Sequence, residues 1–246
     1  MEKILISVIT VTYNAQNSIQ ETVQSVVQQN FSEYEYLIID GASSDNTVDI
    51  IKNYANGKIK IISEPDNGIY DAMNKGIKIS KGKFLYFLQA GDTLMPGILN
   101  QLSSYLKKQE CALIYGDVIW GNEGETYDGY FSQYKISIKN ICHQAIFYHR
   151  EIFNIYKKYN VEYNVLADYD LNLKCFSNPY IKKIYLNKII AKFDAGYSSY
   201  TEDQNFNSFV QLKMIFENYE WSVFIYSLLH RIGGRIKRFI KCILGL

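Results

Sequence analysis

Ile39-Asp40-Gly41-Ala42-Ser43-Ser44-Asp45-Asn46-Thr47 joins two kinds of chain. Tyr36-Leu37-Ile38-Ile39 runs into it, an apolar segment of the sort that forms a strand covered on both faces. That segment stops on a carboxylate, Asp40. Asp and Gly suit a turn, and Asp, Ser and Asn cap helices. "NTVDIIKNYA" predicts such a helix, with Val48, Ile51 and Tyr54 or Ala55 on one face. Alone, the stretch is a strand–turn–helix joint; its meaning comes from repetition along the chain.

"LISVITV" at 5–11 is another apolar run, broken by "TYNAQN". Ser18 and Glu21 predict a capping box, and Ile19, Val23, Val26 and Val27 follow at helical spacing. "KIKIIS" reads as a strand, "IYDAMNKGIKIS" as a helix, "FLYFL" as a strand ending at "QAGD", "GILNQLSSYLKK" as a helix and "ALIYGDVIW" as a strand. This alternation predicts an α/β fold with a mostly parallel, doubly wound central sheet flanked by helices. Right-handed crossovers bring the strand C-terminal ends to one edge, where open α/β sheets bind ligands. Thr12-Tyr13-Asn14, Asp40, Asp66 with Asn67, and Asp92 fall there, so Asp40 reads as part of a site rather than of a turn only.

After about residue 120 the pattern loosens. "GNEGETYDGY" predicts a hairpin or loop, "CHQAIFYHR" a strand, "REIFNIYKKY" and "DYDLNLKCF" helices, and "IKKIYLNKIIAKF" strands. "GYSSYTEDQN" is a polar loop before a helix ending near Tyr219.

Composition narrows the function classes. The 246 residues are 48% hydrophobic and 21% charged, enough for a sizeable core, and the net charge of +1 gives no global field favouring nucleic acid. Cys111, Cys142, Cys175 and Cys242 form no CxxC pair, which argues against zinc and against a disulfide framework, and for reduced thiols in the cytoplasm. The N-terminus reads as no signal peptide, and no apolar run is long enough to span a bilayer. The first strand leads into "TYNAQN" with no Gly-x-Gly-x-x-Gly, which makes a dinucleotide-binding oxidoreductase a poor third reading.

The ordered set "TVTYNAQNSIQETVQSVVQQ", "YLIIDGASSDNT", "SEPDNGIYDAMNKGI", "KGKFLYFLQAGDTL", "YGD", "CHQAIF" and "LADYDLNLK" resembles glycosyltransferase family 2, and within it the branch that builds bacterial O-antigen, capsule and exopolysaccharide. Each motif alone is weak; their order over residues 4–195 is specific. The resemblance implies a GT-A (Rossmann-like) fold and inverting transfer of a sugar from a nucleotide-sugar, with UDP the expected nucleotide, to a saccharide acceptor carried on a polyprenyl diphosphate lipid. It implies that Tyr13 stacks on the base, that Asp40 accepts from a ring N–H, and that Thr10 and Asn14 shape the same pocket. Asp66 touches the nucleotide or sugar, or is a turn residue before Asn67-Gly68.

The family's Asp-x-Asp metal motif is reduced here to Gln89-Ala90-Gly91-Asp92, leaving Asp92 as the ligand for Mn²⁺ or Mg²⁺. Met73 stands where many members have Arg; Lys75 supplies charge near the phosphates or is a solvated helix lysine. Asp71 belongs to a first helical turn, where it suits the helix dipole. The catalytic base falls at Asp168, in place of the family's Glu-Asp pair. The plainer alternative, Asp168 as a helix cap with Asp170 on the helix surface, loses to the upstream motifs. His143 and Gln144 face the donor sugar, the phosphates or the acceptor, or are structural. Asp117 bonds the sugar or ends a strand, and His149 and His230 read as structural or surface. The second hypothesis is an inactive nucleotide-binding or scaffold protein on the same fold.

Residues 221–246, "WSVFIYSLLHRIGGRIKRFIKCILGL", change character: no acid follows Glu220, and basic residues interleave with apolar ones at helical spacing. A catalytic domain over 1–220 is thus followed by a C-terminal helical appendage, 221–246, that reads as a basic amphipathic element on the cytoplasmic membrane surface. The alternative is a helix packed on the catalytic domain or on another subunit.

Overall fold

The computed structural model describes residues 4–54, 57, 59–121, 124–194, 203 and 205–244, without the side chains of 235–244. Much of the polar loop expected over 196–205, the side chain of Cys242 and the basic residues from Arg235 onward lie outside the described residues.

The expected alternation is observed through the first half. β1 (Ile6–Thr12), α1 (Ile19–Val27), β2 (Tyr34–Asp40), α2 (Thr47–Lys52), β3 (Ile59–Ser63), α3 (Ile69–Ile79) and β4 (Phe84–Gln89) follow in order. β3-β2-β1-β4 form a parallel block in which Thr12 pairs with Asp40 and Asp40 with Ser63. Their C-terminal ends therefore reach one edge together. β1 is buried along its whole length, as the unbroken apolar run required.

The second half is mixed rather than parallel. β5 (Thr93–Leu94), α4 (Ile98–Lys108), β6 (Ala112–Trp120), β7 (Glu125–Tyr127), α5 (Gln133–Ile136), β8 (Ile146–His149), α6 (Arg150–Tyr156), α7 (Ala167–Ser177) and β9 (Lys182–Phe193) complete it, before α8 (Ser208–Asn218) and α9 (Trp221–Leu244). β8 inserts antiparallel between β4 and β6, and β9 runs parallel to β6 with a bulge near Asp117. "CHQAIFYHR" thus holds a tight turn at His143–Ala145 and then a short strand, and "IKKIYLNKIIAKF" holds a single strand, β9.

Two apolar layers sandwich the sheet. One holds Ile6, Val8 and Ile38 with α1 and α4; the other holds Ile9, Val11 and Ile39 with α3 and α7. The alternation along β1 assigns each residue to its layer. Ser18 precedes α1 without a side-chain cap bond; its hydroxyl leans on the Ala15 carbonyl instead, so the predicted capping box does not form. His149 is a structural residue whose Nδ1 accepts from the Glu151 N–H at the start of α6.

Candidate active site

Two loops meet at the parallel edge. Asn14, at φ 47°, accepts from Ser44 N–H through Oδ1, Asn14 N–H donates to Ser43 Oγ, and Ala15 N–H donates to Thr47 Oγ1. Asp40 is the knot beneath them. It is fully buried, and its carboxylate accepts from Ser43 N–H at 2.9 Å, Ser43 Oγ at 2.5 Å and Ser63 Oγ at 2.6 Å. Asp40 thus sits at the site, where it shapes the loop instead of facing the open cavity. Gly41 follows for a steric reason: a Cβ there would lie 2.7 Å from Asp66 Oδ2 and 3.3 Å from the Tyr13 ring.

These residues open on a cavity of about 310 Å³ lined by Thr12, Tyr13, Asn14, Ser18, Asp66 and Gly68, with Ile69 and Gln89 at its inner end. Tyr13 is 64% exposed, a free aromatic platform. Thr12 Oγ1 is buried with no partner, an unmet polar atom at the cavity wall. Thr10, expected here, is not: fully buried, it hydrogen-bonds the Tyr36 hydroxyl inside the core. The two threonines share a strand face, and only the one at the strand end escapes the sheet. The N-termini of α1 and α3 both reach this cavity, through Ser18 and through Gly68 with Ile69. Their partial positive charge suits an anion. Lys75 is engaged elsewhere, on the Pro65 carbonyl and Glu64.

Ile69 and Gln89 also line a second cavity of about 430 Å³, so the two adjoin. Asp168 lies on its wall, in the first turn of α7, 6% exposed. Tyr70 donates its hydroxyl to Asp168 Oδ1 at 2.9 Å, and Tyr169 N–H donates to the same oxygen at 2.8 Å. Asn140 Nδ2 donates to Oδ2 at 2.9 Å. Behind Asn140, Asn172 donates through Nδ2 to Asn140 Oδ1 and accepts through Oδ1 from the Tyr148 hydroxyl. The carboxylate is therefore held by a continuous buried relay. Sequence reasoning singled out none of Tyr70, Asn140 and Asn172; Thr12 it placed at the ligand-binding edge, from its position at a strand end, without a role.

His143 Nδ1 lies 3.8 Å from Asp168 Oδ2, and its Nε2 is buried without a partner. Burial holds the imidazole below its ordinary pKa, the Asp168 charge opposing this only in part, so it is neutral at pH 7. Gln144 is a bracket: fully buried, it donates to Asp92 Oδ2 at 2.5 Å and accepts from Cys142 Sγ. Asp170 is buried against Lys174, not on the helix surface. Asp117, expected as a sugar contact, belongs elsewhere. It lines a different cavity with Met95 and Lys188, and its oxygens accept from Gly129 N–H and the Tyr185 hydroxyl.

Asp92 is 2% exposed and lines neither of the two adjoining cavities. Gln144 Nε2 and Asp194 N–H occupy its two oxygens, and burial pushes its pKa up to about 7. Among the described residues, no group of three His, Cys, Asp or Glu side chains is placed to hold a metal ion. The described residues do not fit a resident Mn²⁺ or Mg²⁺.

The family model for glycosyl transferase family 2 matches residues 7–185, and the chain belongs to that family. It is a glycosyltransferase. It is 35% identical over 210 residues to a PGL/p-HBAD biosynthesis glycosyltransferase of Mycobacterium tuberculosis, covering 82% of each chain. Over 118 residues it is 30% identical to the Escherichia coli UDP-Glc:alpha-D-GlcNAc-diphosphoundecaprenol beta-1,3-glucosyltransferase WfgD, covering 48% of this chain and 47% of that one. Staphylococcus aureus TarS 1–349 in complex with UDP-GlcNAc superposes with a TM-score of 0.68 at 18% identity, covering 87% of this chain and 66% of that one. Mannosyltransferase PcManGT from Pyrobaculum calidifontis, solved with GDP-Man and Mn²⁺, gives 0.63 at 13% identity, covering 79% of this chain and 58% of that one. These two likenesses show the GT-A fold.

Proposed function

We propose that the chain transfers a sugar, with inversion, from a UDP-sugar in the first cavity to a saccharide hydroxyl in the second. The observation that carries this reading is the junction of the two cavities at Ile69 and Gln89, with an aromatic platform at one end and the held carboxylate of Asp168 at the other. Tyr13 stacks on the base, Thr12 Oγ1 gains its missing partner, and Asp66 and Asn14 border the nucleotide. The diphosphate lies toward the N-termini of α1 and α3. The acceptor oxygen attacks the anomeric carbon opposite the diphosphate. The new C–O bond forms as the old one breaks, and the hydroxyl proton passes to Asp168. Neutral His143 offers Nε2 to the acceptor or donor sugar.

The acceptor, by analogy with the diphosphoundecaprenol named for the Escherichia coli relative, is a lipid-linked saccharide in surface polysaccharide synthesis of the O-antigen or capsule kind. We assign 1–220 to catalysis and 221–246 to peripheral attachment at the cytoplasmic membrane face. Among the described residues no helix is long and apolar enough to cross a membrane. Trp221, Ile225, Leu229 and Ile232 are exposed along α9, while Val223 and Ser227 are buried on the body of the protein. That stripe, with the basic residues beyond it, supports a surface-binding helix.

Calorimetric titration of UDP, GDP, dTDP and CMP into the chain, with Mn²⁺ or with EDTA, tests the donor. UDP binding in EDTA would place the diphosphate charge on the helix N-termini; binding only with Mn²⁺ would show that the nucleotide brings the ion. No nucleotide binding by a folded chain would leave the inactive scaffold. NMR of the product anomeric proton then reads inversion or retention.

A further inference from the structure

α8 and α9 enclose a groove of about 900 Å³, larger than either cavity of the active site. Its walls are mixed: Ile138, Phe209, Leu212, Leu228 and Ile232 line it together with the polar Asn207 and Ser208. Phe209 is 75% exposed, which is costly for a side chain with nothing to cover it. The Arg231 guanidinium and the His230 imidazole border the same groove. No acidic residue lines it, and none follows Glu220 in the chain. Apolar side chains beside polar and basic ones, with no acid among them, suit a ligand that is both hydrocarbon and polyanion.

One short piece of chain borders both the groove and the catalytic cavity. Ser137 O accepts from Gln211, from Ser227 and from Arg231, which pins both helices to that segment. One residue on, Ile138 lines the groove; Asn140 and Ile141 line the cavity, and Asn140 holds Asp168. Arg231 is also close enough to Tyr169, the neighbour of Asp168, for its charge to oppose the effect of burial on that hydroxyl.

We infer that the α8–α9 groove seats the isoprenoid diphosphate end of the acceptor, with Arg231 and His230 at the phosphates and the hydrocarbon along Phe209, Leu212 and Leu228. This rests on the lipid-linked acceptor proposed above and adds where its anchor lies. A saccharide attached to that diphosphate would extend past Asn140 toward Asp168. Because the groove is separate from the nucleotide cavity, donor and lipid anchor bind side by side.

Farnesyl diphosphate, a short soluble isoprenoid diphosphate, is the probe, titrated into the full chain by calorimetry below its micelle concentration, with farnesol and inorganic diphosphate alongside. Farnesyl diphosphate is expected to bind at least tenfold more tightly than either part alone, and equally well with saturating UDP present. Arg231→Ala and Phe209→Glu should each weaken it tenfold or more while leaving UDP affinity within twofold; the Phe209 side chain is exposed, so that variant keeps its fold. Competition between farnesyl diphosphate and UDP, or affinity unchanged in both variants, overturns the groove as the anchor seat. UDP titrated in parallel separates the failures: UDP binding without farnesyl diphosphate binding removes only this inference, and binding of neither removes the donor reading as well.

Discussion

Asp168 and Asp92 are both carboxylates sunk into the same half of the protein, 6% and 2% exposed, yet their surroundings give them different work. Asp168 is gripped from behind by Tyr70, Tyr169 N–H and Asn140 and borders an open cavity. Asp92 is gripped by Gln144 and Asp194 N–H and borders neither cavity of the site. One borders an open cavity and, in the proposed reaction, meets the acceptor there. The other ties the end of β4 to the turn at Gln144 and the end of β9. Burial alone does not mark a catalytic acid; what the remaining lone pairs face does.

The sharpest way to break this contrast is Asp168→Asn. It keeps the shape and removes the proton acceptor. Transfer should fall about 10³-fold, within the usual range for a general base, with UDP affinity within twofold. Lost UDP binding would return Asp168 to a structural role beside Asp92. Tyr13→Ala should come next, weakening nucleotide binding by roughly 1–3 kcal/mol, as loss of a stacked base does; a calorimetric constant unchanged from the parent would remove Tyr13 from the donor site.

Asn140→Ala tests whether holding the base matters. Turnover should drop about tenfold while the donor KM stays constant, since a neutral hydrogen bond to a charged group is worth roughly 1.5–3 kcal/mol and part of it survives by relaxation. A fall in melting temperature with no fall in kcat would make the relay structural only. Asp92 should show itself in stability instead. Its pKa is about 7 in the fold against about 4 in an unfolded chain, so between those values the fold binds a proton the unfolded chain has released. The stability this contributes is fully present below about pH 4 and is lost as the pH rises through about 7. Melting curves from pH 5 to 8 should fall more steeply for the parent than for Asp92→Asn. The smallest effect is expected from Asp117→Asn: with its cavity apart from the site, transfer should change less than twofold, and a large loss would bring Asp117 back to the sugar.

How far the sequence could be read depended on whether a signal was local. The β1–β4 block was legible because buried parallel strands leave unbroken apolar runs. The loop after β2 was legible because Asp, Ser and Asn state their turn chemistry in place. That Tyr13 and Asp168 line adjoining cavities was legible through ordered motifs. Thr10 for Thr12 was an error of one pleat on the correct face, since a run of buried residues does not say where the sheet ends. Asp92 was read as a ligand because the motif shows which acid survives and not whom it touches.

The sequence by itself therefore determined the family, the parallel half of the sheet and the acidic residues at its edge, because apolar periodicity and motif order are written along the chain. The tertiary structure alone decided that β8 runs antiparallel between β4 and β6, that Asp117 lines a separate cavity, that Gln144 donates to Asp92, and that Tyr70 and Asn140, 70 residues apart in the chain, close on the oxygens of Asp168. Each of these is a pairing between distant segments. A side chain's hydrogen-bond partner is fixed by three-dimensional register, which no single stretch of sequence contains.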